Sequence, residues 1–464
     1  MTGRTDWKHI VAIFVAALAV RMLAVGWFEM RKPEPLPDEE EYVYIAEGVA
    51  LGEEPVYESL PWERLMEKAR AEMKKQRKLI RMGDQEMLVV RLPGVQRRMQ
   101  KAPMYPLLVS AVMRMSPHGD EEWTVRGVRV VQAVMGSITA VLVFVLASRF
   151  FEGRGRLWAG WIAALYPPWV YATGLLLTET MFIMLLMVCW WLATRIAEKP
   201  TASDVLMCGL VGAGAVLTKG SALGLFVVLA PVLVVVSRWK WRAVAAGVCL
   251  LLVIAIGISP WVARNYRVTK NQNEMVGRAE GGDVVVTTCS VGRSLYEAVG
   301  PEATGGPGME RIDVPLKLAG MTEHEVDQYY WEAAKEEMKA HPWRVAKLAV
   351  VKLARTWNVV PNYEGYRKPL YMVAAALSVG PIVILAVWGW WRERRRWREW
   401  VLLLLPVGYF TAVHMVFVGS VRYREPVMGM MMILAGAGLA GLLLGRKAEE
   451  QESSGAEAEA KREA

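Results

Sequence analysis

The sequence is poor in the residues that staple a chain or hold a metal. Only four cysteines occur among 464 residues. Cys189, Cys208 and Cys249 fall inside apolar runs and Cys289 stands alone, which excludes a disulfide framework. His118, His324, His341 and His414 have no spacing suited to metal ligands, so none is assigned. No phosphate-binding Gly-x-x-x-x-Gly-Lys-Ser/Thr loop is present, which removes support for ATP-driven transport. No small-residue cleavage site follows Val25–Met30, so the first apolar run reads as a membrane helix and not as a signal peptide. No repeat occurs at solenoid periods.

Long apolar runs are abundant instead. The chain is 54% hydrophobic, with a mean hydropathy of +0.24, above the composition of soluble domains. The runs predict an all-α polytopic membrane protein of about ten transmembrane helices, with interfacial helices and a small α+β outer-face region. The net charge is +9, and its placement orients the spans, because short cytoplasmic loops collect Lys and Arg. Arg149, Arg154 and Arg156, then Arg195 and Lys199, Arg238 to Arg242, Arg392 to Arg398, and Arg446 and Lys447 all fall on one side of an alternating path. The piece Met104–Met115 lies between Pro103 and Pro117 and is too short to cross; a full span there would invert every later basic loop. Ten spans then leave both termini cytoplasmic in a plasma or inner membrane. Membrane lipids are the expected neighbours, and no nucleic-acid partner is expected.

This path divides the chain into a tail and first helix (1–28), a first outer loop (29–124) and a central bundle (125–260). A second outer region (261–368), C-terminal helices (369–445) and an acidic tail expected to be disordered (446–464) follow. In the first loop, Pro37-Asp38-Glu39-Glu40-Glu41-Tyr42 begins a helical stretch, with Asp38 as its N-cap and acids at the positive end of the helix dipole. The basic stretch Glu63–Arg98 reads either as an amphipathic helix near anionic headgroups or as a solvated helix, and no chemistry is placed there. The second region predicts a strand at Asp283–Cys289, a capping box at Thr322-Glu323-His324-Glu325, and an amphipathic helix Trp343–Trp357. Lys347, Lys352 and Arg355 of that last helix are free to snorkel.

Ionisable residues at span edges are costly and therefore functional candidates. On this topology Asp38, Lys101, Glu179, Lys219, Arg264, Arg422 and Arg424 all lie at the outer face. Any one of them has a local explanation as an anchor or cap; the whole set is harder to explain that way. A carboxylate can take a proton from an acceptor, and Lys and Arg can hold a departing phosphate. The Gly436-Ala437-Gly438-Leu439-Ala440-Gly441 match to GxGxxG lies in a span with no preceding strand, so it reads as close helix packing.

The order of short motifs resembles the GT-C glycosyltransferases, nearest to dolichyl-phosphate-mannose protein mannosyltransferases and bacterial lipid A aminoarabinose transferases. The motifs are Asp38-Glu39-x-x-Tyr42-x-x-x-Ala46 with Gly52, Lys101-Ala102-Pro103-Met104-Tyr105-Pro106, and Tyr166-Pro167-Pro168 before Leu177-Thr178-Glu179. Pro260-Trp261-Val262-Ala263-Arg264-Asn265 and Arg422-Tyr423-Arg424 complete the series. The resemblance implies inverting transfer of a sugar from a polyprenyl-phosphate donor to a protein, lipid or cell-envelope glycan. It implies Asp38 as base with Glu39 beside it, Glu179 as a second acid, and Lys101, Lys219, Arg422 and Arg424 at the donor phosphate. Arg264, Tyr42 and Tyr423 are additional candidates. Relatives differ in metal dependence, so a divalent cation near Asp38 and Glu179 stays open and no other cofactor is implied. The Trp-Trp-Asp pattern of oligosaccharyltransferases is absent, and the basic stretch 63–98 departs from the family pattern. The competing reading is a polyprenyl-phosphate-sugar flippase or permease, whose charges should line a path on both sides of the membrane.

Overall fold

The computed structural model describes residues 7–52 and 99–443, apart from 118–119, 152, 239, 279–280, 309–311, 313–317, 319–320 and 363–366. The expected helix at Glu63–Arg98 and the acidic tail lie outside the described residues. Seven helices are long and apolar enough to cross a membrane, which makes the chain a multi-pass membrane protein. They are α1 (Trp7–Arg31), α4 (Glu121–Ala147), α7 (Glu179–Glu198), α10 (Lys240–Met275), α14 (Pro369–Arg392), α15 (Trp397–Val416) and α16 (Val421–Leu443).

The other three expected spans are shorter. Leu157–Gly174 is broken into α5 (Arg154–Leu165) and α6 (Pro167–Ala172), and α8 (Ala202–Thr218) and α9 (Ala222–Val236) run 17 and 15 residues. A helix of about 16 residues covers about 24 Å, short of the roughly 30 Å hydrocarbon core. The remaining helices are α2 (Pro37–Leu51), α3 (Met104–Met113), α11 (Val291–Val299), α12 (Glu323–Ala340) and α13 (Pro342–Thr356). The interfacial α3 is only 10 residues long, as its bracketing prolines predict, and packs on α2 and α4.

The break between α5 and α6 explains a charge buried in the first span. Pro167 and Pro168 have no N–H to give to the carbonyls of Ala163 and Ala164, four residues earlier. Arg21, fully buried on α1, donates to those two carbonyls instead, at 3.4 Å and 2.9 Å, and to Ala17 at 3.1 Å. Gly136 on α4 makes room, since a Cβ there would stand 2.5 Å from Arg21 Nε. Arg21→Met should therefore lower thermal stability, because each buried carbonyl left without a donor costs about 1–3 kcal/mol. The check is thermal unfolding in detergent; an unchanged midpoint would refute this role.

Two expectations for the 261–368 region are corrected. First, among the described residues there is no strand, so the region is not α+β. Residues 283–289 run along α10, which continues through Pro260 for 36 residues in all. Thr269 Oγ donates to the Asp283 carbonyl at 3.0 Å and Asn265 Nδ2 to Val285 at 3.0 Å, while the Trp261 indole donates to Thr287 at 2.7 Å. Side chains of one helix thus satisfy the backbone groups a strand partner would have taken. Second, Lys352 and Arg355 of α13 do not snorkel; Lys352 is buried and donates to the Val416 carbonyl at 2.7 Å. The Thr322 capping box forms as expected, with Glu325 N donating to Thr322 Oγ at 3.4 Å and Thr322 N to Glu325 at 2.9 Å.

The glycines of α16 serve helix packing. A Cβ on Gly436 would meet the Gly155 carbonyl at 2.4 Å, and one on Gly438 the Leu385 carbonyl at 2.3 Å, so α16 lies tight between α5 and α14. Consequently α16 and α7 are the most enclosed of the long helices, and both begin at the same end of the bundle. Glu179 opens one and Arg422 lies in the first turns of the other.

Candidate active site

Five elements bring charge to that end. On α2 the helical period places Asp38, Glu41 and Tyr42 on one face and turns Glu39 away. Asp38 is not the N-cap, contrary to expectation. Leu36 takes that position, Pro37 opens the helix, and the Glu39 carboxylate accepts the Leu36 N–H at 2.8 Å. The other Glu39 oxygen accepts the Leu176 N–H at 2.7 Å, so this buried acid ties α2 to the α6–α7 turn and does not face the cluster. Lys101 precedes α3, Glu179 starts α7, Lys219 ends α8, and Arg422 lies in the 3-10 turn Val421–Val427. An acid at a helix start and a cation at a helix end each complement the helix dipole.

These side chains form one ionic network. Arg422 spans two acids: Nη1 lies 3.0 Å from Asp38 Oδ2, while Nε and Nη2 lie 2.6 Å and 3.3 Å from the two oxygens of Glu179. Lys101 Nζ is 3.0 Å from Asp38 Oδ1 and 2.6 Å from Glu41, and sits 5.1 Å above the Tyr42 ring. Lys219 Nζ is 3.2 Å from Glu179 and lies against the rings of Phe182 and Tyr423, 5.7 Å and 5.8 Å from their centroids. Tyr423 in turn stacks on His414, with ring centroids 4.3 Å apart. Three carboxylates thus balance three cations, so an incoming anion competes with carboxylates for these donors.

Burial pushes the Asp38 carboxyl up, but Lys101 and Arg422 outweigh it and hold the group well below its ordinary 3.8. Burial likewise pulls Lys101 down, and Tyr42, Asp38 and Glu41 raise it well above the usual lysine value. Because the folded Asp38 lies below its unfolded value, its ion pairs contribute stability in full above about pH 5 and lose it as pH falls below 4. The thermal-stability gap between wild type and Asp38→Asn should stay level from pH 8 to 5 and close under pH 4. A gap that closes near pH 6 would contradict this assignment.

Besides Glu39, two further sequence candidates lie apart from the network. Arg424 is buried and donates to the carbonyls of Thr356 (3.3 Å) and Asn358, where it pins the chain after α13. Arg264 lies over the Trp261 ring at 4.7 Å and donates to Asn265 at 3.2 Å. Glu41 was not singled out, although its place three residues after Asp38 marks it as sharing that face. A divalent cation between Asp38 and Glu179 does not fit this arrangement, since the Arg422 guanidinium lies between them. Among the described residues, no three His, Cys, Asp or Glu side chains converge as ligands would. A cleft of about 1070 Å³ lies on the opposite face of α2, lined by Glu40, Val43, Glu47 and Leu176 among others; it does not contain the ionic network.

A family model described as dolichyl-phosphate-mannose-protein mannosyltransferase matches residues 100–263, which include Lys101, Glu179 and Lys219. No curated protein matches. Among solved structures, the chain is similar to the archaeal oligosaccharyltransferase AglB from Archaeoglobus fulgidus, solved with an inhibitory peptide and a dolichol-phosphate. The TM-score is 0.54 at 11% identity, over 96% of this chain and 51% of that one. The oligosaccharyltransferase of the same organism tethered to an acceptor peptide gives a TM-score of 0.50 at 11% identity, covering 94% and 50%. ArnT from Cupriavidus metallidurans, bound to undecaprenyl phosphate, gives 0.37 at 16% identity, covering 95% and 78%. The chain spans about half the length of the oligosaccharyltransferase structures it matches.

Proposed function

We propose that this chain, which has the fold of the GT-C glycosyltransferases, moves a sugar from a polyprenyl-phosphate carrier to an acceptor hydroxyl or amine at the outer membrane face. The observation that carries this reading is the Arg422 fork between Asp38 and Glu179, flanked by Lys101 and Lys219. A phosphate entering the network competes with the two carboxylates for the same donors. As Lys101 and Arg422 turn to the phosphate, Asp38 loses the charges that depress its proton affinity and becomes a usable base. The acceptor oxygen or nitrogen then attacks the anomeric carbon and gives its proton to Asp38. The bond from that carbon to the phosphate oxygen breaks, its electrons stay on the phosphate, and the configuration inverts. The cations stabilise the charge that develops on the departing phosphate.

Glu179 has a different part. It is only 5% exposed, holds Arg422 by two bonds, and keeps Lys219 oriented, so it positions donors and takes no proton. The charge bias supports this outer-face orientation: α7 runs from Glu179 in the network to Arg195 in its last turn, and short basic loops collect on the cytoplasmic side. Cysteine labels at the exposed positions 284 and 302 should react with an impermeant reagent on intact cells, whereas labels at 154, 240 and 395 should need permeabilisation. Outside labelling at 395 would overturn the orientation. The activity itself is tested by incubating the purified full chain with synthetic polyprenyl-phosphate sugars and membrane extract. Release of polyprenyl phosphate that depends on Asp38 is expected, and release unaffected by Asp38→Asn would refute the assignment.

A further inference from the structure

The loop that carries Arg422 is held from one side by a helix that contributes nothing to the ionic network. Helix α15 ends at Val416, and its last carbonyls have no partners within the helix. Lys352, only 1% exposed, crosses from α13 and donates to the Val416 carbonyl at 2.7 Å, placing a positive charge at the negative end of α15. Three residues on, Gly419 N donates to the Gly305 carbonyl at 2.8 Å, and Arg355 of α13 reaches the Gly419 carbonyl at 3.4 Å. Gly419 lies so near α13 that an added Cβ would be 2.5 Å from the Lys352 carbonyl. Beyond Arg422, Arg424 is tied to Thr356 and Asn358 at the end of the same helix. Arg422 is thus flanked on both sides by anchors on α13.

We propose that α13 is a clamp that presents Arg422 to Asp38 and Glu179, with Lys352 as its positioning residue. The role of Arg422 in this proposal rests on the function proposed above. Burial draws the Lys352 ammonium down to about 8, so the fold holds a charge where it is disfavoured. A methionine of similar length would avoid that cost, and the carbonyl it leaves belongs to Val416, which is half exposed, unlike the buried alanines whose carbonyls Arg21 serves. A purely structural lysine and a positioning lysine therefore differ in what their loss does. Loss of the first lowers stability; loss of the second leaves stability nearly level and loosens the Arg422 loop.

The test uses the full chain in lipid nanodiscs with undecaprenyl phosphate as probe. Lys352→Met should weaken its binding about tenfold while the unfolding midpoint stays level, and in an Arg422→Ala background the same change should cost less than twofold. Equal losses in both backgrounds, or no loss, would overturn the clamp. Gly419→Ala gives a second variant that keeps every charge and pushes the loop off α13; it too should weaken binding, and unchanged binding would count against the clamp. If Arg422→Ala itself leaves binding unaltered, the phosphate site is refuted, and the clamp is then judged by labelling Ser420→Cys with an impermeant maleimide. A tenfold faster reaction on adding Lys352→Met upholds the clamp, and an unchanged rate overturns it.

Discussion

Asp38→Asn is expected to bind the lipid-phosphate donor and yet lose about 10²–10⁴-fold in turnover, the range general-base catalysis contributes. Asparagine matches aspartate in size, and its amide oxygen still accepts from Lys101 or Arg422, so the fork keeps one face of its contact. What it lacks is the ability to take a proton. A cap role is excluded independently, because Leu36 and Glu39 occupy the helix start. Donor affinity should hold or tighten, since a neutral amide competes less with phosphate for the cations. The comparison variant is Glu39→Gln. It leaves the network intact but weakens the acceptor for Leu36 and Leu176, so it should lower thermal stability more than turnover of the folded fraction. Normal turnover in Asp38→Asn would leave the aspartate with a charge-pairing role alone.

Arg422→Lys keeps the charge and should nevertheless weaken donor binding by at least tenfold. A guanidinium has donors on three nitrogens in one plane, and Arg422 uses all three across two carboxylates. An ammonium on a lysine stem is a point charge and reaches one acid or the other. Arg422→Ala goes further. It leaves Glu179, nearly buried, with Lys219 as its one remaining partner of the network at 3.2 Å, and breaking such a buried pair costs about 3–5 kcal/mol. The control is Arg126→Lys, an exposed cation 3.0 Å from Glu29 and remote from the network, which should bind donor as wild type does. Equal behaviour of Arg422→Lys and the control, measured by donor titration, would show that the phosphate binds elsewhere.

The helices, their approximate ends and the residues worth suspecting were legible in the sequence because each depends on short-range chemistry. Apolar runs find lipid, Pro103 and Pro117 confine α3, Thr322 and Glu325 cap α12, and clustered glycines mark the face on which α16 packs. Charge at the end of an apolar run is costly wherever the chain goes, so Asp38, Lys101, Glu179, Lys219 and Arg422 stand out before any fold is known. Partnership among them was decided by tertiary structure alone, because it depends on which helices are enclosed and how their first turns wind. Arg422 and Arg424 show this most directly. They are two residues apart, but in a 3-10 turn of about three residues that spacing points them to different sides. One therefore meets Glu179 and the other Thr356. Lys352 has the pattern of a snorkelling residue, and only the packing of α13 over the end of α15 makes it a buried donor. Arg21 likewise becomes intelligible only when α1 lies beside the two prolines that leave carbonyls open 142 and 143 residues away. Local composition determines the element; the unmet polar groups of distant elements determine the partner.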